Sequence, residues 1–175
     1  KCDWSSDVCS SDLATDEKNI LRVSDLSVQF AQSAGVVRAV DGVSFELRPG
    51  ETLGIVGESG SGKSITALAV LGLIPRPAGR VSGHIEYDGV NLLEAPPDFL
   101  QQVRGNRIAM IFQDPMSCLN PVFTIGFQLV ETLRLHTAMS RSEALDHSKE
   151  MLGKVGIPLP SQRFSEYPHQ LSGGM

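Results

Sequence analysis

The sequence predicts an α/β fold made of antiparallel strands, a strand–loop–helix core and a helical block. Two early segments, Leu21–Phe30 and Val36–Leu47, alternate apolar and polar residues, as half-buried strands do. The run Ile65–Ile74 is apolar nearly all round and predicts a helix packed deeply against a sheet. With 175 residues the chain has the length of one domain.

Composition narrows the class of protein. Apolar residues make up 41% of the chain and charged residues 20%, which is typical of globular domains. The net charge of −5 comes without a basic stripe, so the sequence gives no indication of a nucleic-acid partner. The longest apolar run is shorter than a membrane span, so any membrane role must come through a partner protein.

Residues 1–13 differ from the rest of the chain. They have no strand or helix periodicity, and they contain the only tryptophan and two of the three cysteines, Cys2 and Cys9. The segment resembles the translation of a sequencing adapter, and we do not expect it to belong to the folded domain. A flexible tail or a metal clip is the alternative, although the cysteine spacing suits zinc poorly. Cys118 is then the only cysteine, which is compatible with a reducing compartment.

Two short apolar runs predict the strands of a buried core. Glu51–Val56 follows the turn Pro49-Gly50, and Ile108–Phe112 lies farther along the chain. Continuous apolar runs of this length are expected for parallel strands that are covered on both faces. Gly83–Gly89 predicts a further short strand that ends in an Asp-Gly turn.

The helical block has two predicted helices. Thr124–His136 carries an apolar stripe at four-residue spacing: Ile125, Leu129 and Leu133. Ser140 and Glu143 have the spacing of a capping box. The helix that they open has its predicted apolar stripe at Leu145, Leu152 and Val155, and Gly156–Pro160 ends it.

The most specific motif in the sequence is a run of eight consecutive residues. Gly57-Glu-Ser-Gly-Ser-Gly-Lys-Ser64 fits the pattern G-x-x-x-x-G-K-[ST] and stands between a predicted strand and a predicted helix. Glycines let backbone N–H groups surround phosphate oxygens, and the helix start adds its positive end. The predicted phosphate-binding residues are Gly57, Ser59, Gly60, Ser61, Gly62, Lys63 and Ser64.

This loop predicts ATP and Mg²⁺ as ligands. Lys63 would neutralise the β- and γ-phosphates, and the Ser64 hydroxyl would ligate the Mg²⁺ that bridges them. The alternative is a Gly/Ser-rich loop that matches the pattern by chance. The order of strand, loop and helix around the motif favours the nucleotide-binding interpretation.

Two further motifs follow the phosphate loop in order. Gln113 ends the run Ile108–Phe112 and precedes Asp114-Pro115, and Leu171-Ser-Gly-Gly-Met175 comes last. The ordered set resembles the ATP-binding subunit of ABC transporters from about Leu21 to Met175. The strings GESGSGKS, MIFQDPMSCLNPVFTIG and YPHQLSGGM resemble the branch that energises dipeptide, oligopeptide and glutathione import in bacteria. The resemblance implies a P-loop NTPase core of ABC type, with an antiparallel β subdomain and a helical subdomain at about 115–170.

The resemblance also implies roles for individual residues. Gln113 would act near Mg²⁺ and the attacking water, and its loop would contact the membrane permease subunits; a polar residue capping a strand is the alternative. Ser172, Gly173 and Gly174 would contact the γ-phosphate held by the opposite subunit of a head-to-tail dimer, and a simple helix N-cap is the alternative. Phe30 stands where the family carries an aromatic residue that stacks on adenine, but a core position in the strand is an open alternative.

The implied function is an ATPase that powers peptide import from the cytoplasmic face of the bacterial inner membrane, with a peptide-binding protein as an indirect partner. The resemblance implies a next strand with the Mg²⁺-ordering Asp and the general-base Glu, and then a switch His, none of which is among these 175 residues. We therefore expect 14–175 to be a partial ATP-binding domain, truncated before the Walker B strand and inactive alone. Two alternatives stay open here: a soluble ABC ATPase of DNA repair or translation, and a phosphate-loop kinase for small molecules.

Overall fold

The computed structural model describes residues 19–33, 35–113 and 118–175. These residues form two compact units, the second of which begins at Gln101. The adapter-like segment 1–13, residues 114 and 115 of the Gln-Asp-Pro motif, and the predicted start of the helical subdomain at about 115 lie outside the described residues.

A four-stranded antiparallel sheet lies in the first unit. β1 (Leu21–Gln32) pairs with β2 (Gly35–Leu47) on one side and with β3 (Gly79–Tyr87) on the other, and β3 also pairs with the short β4 (Val90–Asn91). The strand order is therefore β2-β1-β3-β4. The predicted strands Leu21–Phe30 and Val36–Leu47 are confirmed. β3 begins four residues before the predicted Gly83 because its first part pairs with the far end of β1.

A β-bulge changes the alternation of β1. Val23, Leu26 and Val28 are all fully buried, although a regular strand would not place residues 23 and 26 on the same face. The pairing register shifts between Val23 and Leu26, and Asp25 has a φ of 50°. Its N–H donates to Ser44 Oγ at 2.8 Å, so the irregular backbone is satisfied by a side chain of the neighbouring strand.

The helix after the phosphate loop is shorter than predicted. α1 covers Lys63–Val70, and Gly72 follows with a φ of 64°. The N–H of Gly72 donates to Ala69 O, and that of Leu73 to Leu68 O. These two bonds form a Schellman motif, which ends the helix before the predicted Ile74. Thr66, Ala69 and Val70 are buried, and α1 contacts β1 and β2, as expected for a helix packed on a sheet.

The predicted strand at 51–56 is wrong. Residues 51–58 have no regular secondary structure and are exposed; Ile55 is 50% and Val56 94% accessible. A parallel strand of a buried sheet is stabilised by neighbouring strands on each side. Within the described residues this segment pairs with no strand, so its apolar composition alone does not make it extended sheet.

The second unit is helical. α2 (Pro97–Val103) crosses its boundary and is followed by α3 (Ile125–His136), α4 (Arg141–Lys154), α5 (Pro160–Arg163) and a 3₁₀ turn at Pro168–Gln170. α3 packs on α4, and α4 on α5. Thr124 caps α3 by accepting from Phe127 N, and the predicted capping box of Ser140 and Glu143 is present at the start of α4. Both predicted helices are therefore confirmed.

The buried face of α4 differs from its predicted stripe. Val155 is 73% exposed and lies outside the helix, whereas Ala144 and Ser148 are buried. Ser148 Oγ donates to Ala144 O at 2.6 Å, so the buried hydroxyl is satisfied within its own helix. α4 ends in a second Schellman motif, in which Gly156 has a φ of 80° and Ile157 N donates to Leu152 O.

The predicted strand at 108–112 is also wrong. Its only described ladder contact is an isolated parallel bridge between Arg104 and Ile108. Ile111 is 97% exposed, and Phe112 is also accessible. As at 51–56, the apolar run lacks the neighbouring strands that would hold it in a sheet.

Candidate functional site

The loop before α1 folds around the ammonium group of Lys63. Lys63 Nζ donates to the carbonyl oxygens of Gly57 and Glu58, both at 2.7 Å, and to Ser61 Oγ at 3.2 Å. Ser61 N in turn donates to Glu58 O at 3.2 Å. The predicted loop residues therefore form one local structure, with a positive charge held among its oxygens.

Glycine is required where the loop meets the sheet. Gly62 is the N-cap of α1 and has a φ of 92°, in the left-handed region. A β-carbon at this position would overlap Ala39 O of β2 and lie 3.2 Å from Val40 Cγ2. Gly62 O accepts from Thr66 N at 2.8 Å and from Thr66 Oγ1 at 3.1 Å, so the first turn of the helix is anchored at this glycine.

The loop has the features that a phosphate group needs. Ser59, Ser61 and Ser64 are exposed, and Lys63 is half-buried at the start of an eight-residue helix. The first turn of a helix leaves backbone N–H donors without intrahelical partners. An ammonium group, serine hydroxyls and these donors together favour an anion. The Ser64 hydroxyl adds an oxygen of the type that Mg²⁺ accepts.

Phe30 is half-buried near the end of β1. It is paired with Val37 of β2 and Gly79 of β3, and its Cε1 atom would lie 3.1 Å from a β-carbon at residue 79. This glycine makes room for the ring, which supports the packing alternative for Phe30. The ring is not fully enclosed, so stacking on a base stays a prediction.

The remaining predicted residues lie in the second unit. Gln113 is exposed and follows the irregular segment 109–112. Ser172, Gly173 and Gly174 are exposed in a turn closed by a hydrogen bond from Met175 N to Ser172 O at 2.9 Å. Neither glycine has an atom within 4 Å of a built β-carbon, so this turn presents an open surface. The roles assigned to these residues stay predictions.

Three residues that support the phosphate loop are not predicted from the sequence motifs. Ala39 and Val40 form the surface on which Gly62 rests, and Thr66 fastens Gly62 O. A polar residue inside the apolar run 65–74 was a usable signal for Thr66. Ala39 and Val40 gave no such signal, because their role depends on the pairing of distant segments.

Comparison with protein families gives a match that covers the phosphate loop and the two later motifs. A family model described as ABC transporter matches residues 40–175. This chain belongs to the ABC transporter family. The match begins in β2 and includes the phosphate loop, Gln113 and the Leu-Ser-Gly-Gly signature, so the ABC resemblance predicted from the ordered motifs is confirmed.

Relatives of this ABC transporter chain are named for peptide transport. It is 50% identical over 157 residues to the probable peptide ABC transporter ATP-binding protein y4tR of Sinorhizobium fredii, covering 89% of this chain and 47% of that protein. It is 49% identical over 156 residues to the oligopeptide transport ATP-binding protein OppD of Salmonella typhimurium, with 89% and 46% covered. The chain therefore spans about half the length of these relatives, and the predicted resemblance to the peptide branch is confirmed.

A solved ABC cassette shares the fold. The dimeric, post-hydrolysis structure of the ATP-binding cassette MJ0796 bound to ADP and Pi matches with a TM-score of 0.71 and 22% sequence identity, covering 88% of this chain and 64% of that one. This likeness confirms the predicted ABC-type fold class. Among the described helices of this chain, none is long and apolar enough to cross a membrane.

Proposed function

We propose that this chain is part of an ATPase subunit that energises peptide import by an ABC transporter. The observation that carries the proposal is the loop closed around Lys63 Nζ, at the start of α1, in a chain about half identical to peptide-transport ATP-binding proteins. A cationic loop at a helix start suits a triphosphate, and the family membership makes ATP the proposed nucleotide.

The described residues suggest how the site would work. Lys63 would exchange its loop carbonyls for phosphate oxygens and oppose the charge that develops during phosphoryl transfer. Ser64 and Gln113, both exposed, are the proposed holders of Mg²⁺, which when bound neutralises phosphate charge. The half-buried ring of Phe30 would support adenine by stacking.

The open turn at Ser172–Gly174 would complete the nucleotide site of a second subunit. Its exposed hydroxyl and two unobstructed glycines could reach a γ-phosphate held by that subunit in a head-to-tail dimer. The dimeric state of the related cassette supports this arrangement. We propose that permease subunits bind near the Gln113 loop, which would hold the protein at the cytoplasmic face of the bacterial inner membrane, and that a peptide-binding protein takes part indirectly.

The two alternatives from the sequence have less support. A small-molecule kinase does not fit membership of the ABC transporter family. A soluble ABC ATPase of DNA repair or translation would share the three motifs, but relatives at about half identity carry peptide-transport names.

An uptake experiment tests the transport proposal. The gene is deleted from the bacterium that carries it, and entry of a labelled dipeptide and a labelled oligopeptide is measured. Full-length wild type should restore uptake, whereas Lys63→Ala should not, although permease levels stay equal. Gly153→Ala is a matched control, because a β-carbon there meets only Pro160 Cγ at 3.7 Å, an ordinary contact.

The result also separates transport from other ABC activities. Unimpaired peptide uptake in the deletion strain, together with normal ATP hydrolysis by the purified full-length protein, would contradict the import proposal. ATP hydrolysis that persists in the Lys63→Ala protein would instead contradict the assignment of the phosphate site.

A further inference from the structure

The first turn of α3 is capped by a distant segment of the second unit. Ile125 N donates to Glu166 O at 2.9 Å, and Gly126 N donates to Phe164 O at 2.8 Å. The third free donor of this turn, Phe127 N, is satisfied locally by Thr124 Oγ1 at 3.2 Å. Helix-start donors are commonly satisfied by local side chains or water. Here two of them attach α3 to the chain that leads to the signature.

A side-chain contact reinforces these two hydrogen bonds. The Phe164 ring lies against the buried Gly126 so closely that a β-carbon at residue 126 would overlap three atoms of the ring. Lys149 of α4 places its Nζ 5.5 Å from the centre of the same ring, within range of a cation–π interaction. The position of Phe164 is therefore set jointly by α3 and α4.

The segment between Phe164 and the signature is itself tightly connected. Arg163 Nη1 and Glu166 Oε2 form an ion pair at 2.7 Å, and this hydrogen bond lowers the pKa of Glu166. Tyr167 N donates to the side chain of Gln170 at 2.8 Å, and Leu171 N to Pro168 O at 3.1 Å. A shift of Phe164 is thus expected to move the residues before Ser172 as a body.

The same helical turn of α3 is also connected to residues 120–123, which come after Gln113 in the chain. Gln128 Nε2 donates to Asn120 O at 3.0 Å and to Phe123 O at 3.1 Å, and Gln128 Oε1 accepts from Asn120 N at 2.9 Å. One helical turn of α3 therefore touches both residues 120–123 and residues 164–166. These are the segments next to the two predicted motifs of this unit.

We propose that Gly126 and Phe164 are positioning residues: their contact sets the place of Ser172 and makes it depend on the segment after Gln113. This inference rests on the proposed function, in which Ser172 completes a partner's nucleotide site. Packed side chains and hydrogen bonds that join two segments can carry a displacement from one to the other.

The test compares two alanine substitutions at helical glycines of the full-length protein. Gly126→Ala should displace Phe164 and lower the turnover of ATP by about tenfold to a hundredfold, because small misplacements of a catalytic group have effects of that size. ATP affinity of the single subunit should stay within about twofold. Gly153→Ala, where a β-carbon has room, should leave turnover and affinity unchanged.

A double variant distinguishes a positioning role of Gly126 and Phe164 from a simple loss of stability. Phe164→Ala removes the ring that a β-carbon at 126 would overlap, so adding Gly126→Ala to it should cause no further loss of turnover. Hydrogen exchange at the amides of Leu171 and Met175 should be faster in Gly126→Ala than in wild type or Gly153→Ala. Gln128→Ala, which removes the tether to 120–123 without any overlap, should change the same amides and keeps the test informative if Gly126→Ala does not fold.

The outcomes separate this inference from the proposed function. If wild type lacks ATPase activity, the proposed function fails, and the exchange measurements still report the coupling. If wild type is active but Gly126→Ala equals Gly153→Ala in turnover and in exchange, the positioning role is wrong. Additive losses in the double variant would also overturn it.

Discussion

Gly62 of the phosphate loop rests directly on the carbonyl oxygen of Ala39 in β2, and no space for a β-carbon lies between them. Gly62 also has a φ of 92°, which L side chains rarely adopt. The antiparallel sheet thus supports the loop at the N-cap residue of α1. This contact ties the shape of the phosphate loop to the packing of the first unit.

Gly62→Ala should therefore harm the protein more than Gly60→Ala. Gly60 has a φ of 83° but nothing within 4 Å of a built β-carbon, so alanine there adds only left-handed strain, about 1–2 kcal/mol. At residue 62 the overlap with β2 is added, and ATP binding should be lost. Thermal unfolding and binding of a fluorescent ATP analogue to the full-length variants measure both effects. Equal losses in the two variants would mean that the contact with Ala39 is unimportant.

Lys63→Ala should abolish ATP hydrolysis by the full-length protein, because it removes the ammonium group that opposes the charge on the transferred phosphate. Ser64→Ala should weaken ATP binding in the presence of Mg²⁺ more than in its absence, since its hydroxyl is the proposed metal ligand. Steady-state turnover and ATP titrations with and without Mg²⁺ test the two residues. Normal turnover in the Lys63 variant is incompatible with the assigned site.

Ser172→Arg should leave ATP binding by a single subunit nearly unchanged but block ATP-dependent dimerisation and hydrolysis. The long cation would fill the open turn where the partner's γ-phosphate is proposed to bind. Ser165→Arg is the control, because Ser165 is exposed nearby but lies outside the signature. Gel filtration with ATP and a turnover assay give the answer. A Ser172→Arg protein that dimerises and hydrolyses ATP like the control would rule out the role in the partner's site.

The capping box of α4 should contribute to stability. Ser140 Oγ accepts from Glu143 N at 3.3 Å, and Ser140 N donates to the Glu143 carboxylate at 2.8 Å. Ser140→Ala should lower the free energy of unfolding by about 0.5–2 kcal/mol. The exposed Ser142 provides a control substitution to alanine. Chemical denaturation measures both, and equal stability of the two variants would show that the cap is not needed.

The capping box of Ser140 and Glu143 also predicts that the stability of the fold depends on pH. The hydrogen bonds from the Ser140 side chain and backbone lower the pKa of Glu143 below its ordinary value of 4.5. A lowered folded-state pKa means that the carboxylate stabilises the fold above that ordinary value, and the contribution is lost as pH falls through the lower pKa. Wild type should therefore be more stable than Glu143→Gln at neutral pH, and the difference should vanish on acidification. A difference in stability between the two proteins that stays constant as the pH falls from neutral to acid would contradict the prediction.

The 175-residue chain expressed alone should aggregate and show no ATPase activity. Leu53, Ile55, Val56 and Ile111 are exposed, and each buried apolar side chain contributes about 1.5–3 kcal/mol to a net stability of only about 5–15 kcal/mol. Extending the chain through the family's Asp-Glu strand and switch His should restore solubility and turnover. A monomeric 175-residue product that unfolds cooperatively and hydrolyses ATP with Mg²⁺ would refute this expectation.

Local patterns predicted the parts of the fold that depend on local interactions. Alternation predicted β1 and β2, and the spacing of Ser140 and Glu143 predicted the start of α4, because each signal lies within a few neighbouring residues. The composition of the apolar runs 51–56 and 108–112 predicts strands, but a buried parallel strand also needs neighbouring strands that no local pattern supplies. Composition cannot distinguish a segment that is paired from one that is only able to pair.

The candidate site also has parts that local sequence predicts and parts that depend on distant residues. The phosphate loop consists of eight consecutive residues, so its phosphate-binding groups can be predicted from the sequence alone. The support of Gly62 by Ala39, and the contact of Gly126 with Phe164, join residues far apart in the chain. A helical glycine gives no sequence signal of its own, because the ring that excludes a β-carbon there is identified only by the tertiary structure.

The central place of β1 determines where this protein can be shortened for laboratory work. β1 is the first element of the described residues, yet it lies between β2 and β3 and supplies the fully buried side chains of Val23, Leu26 and Val28. A shortened chain should therefore keep Leu21 and the residues that follow it, because β1 begins there. A deletion that removes β1 would take away the strand that pairs with both β2 and β3, and β2 would lose the one strand that it pairs with among the described residues.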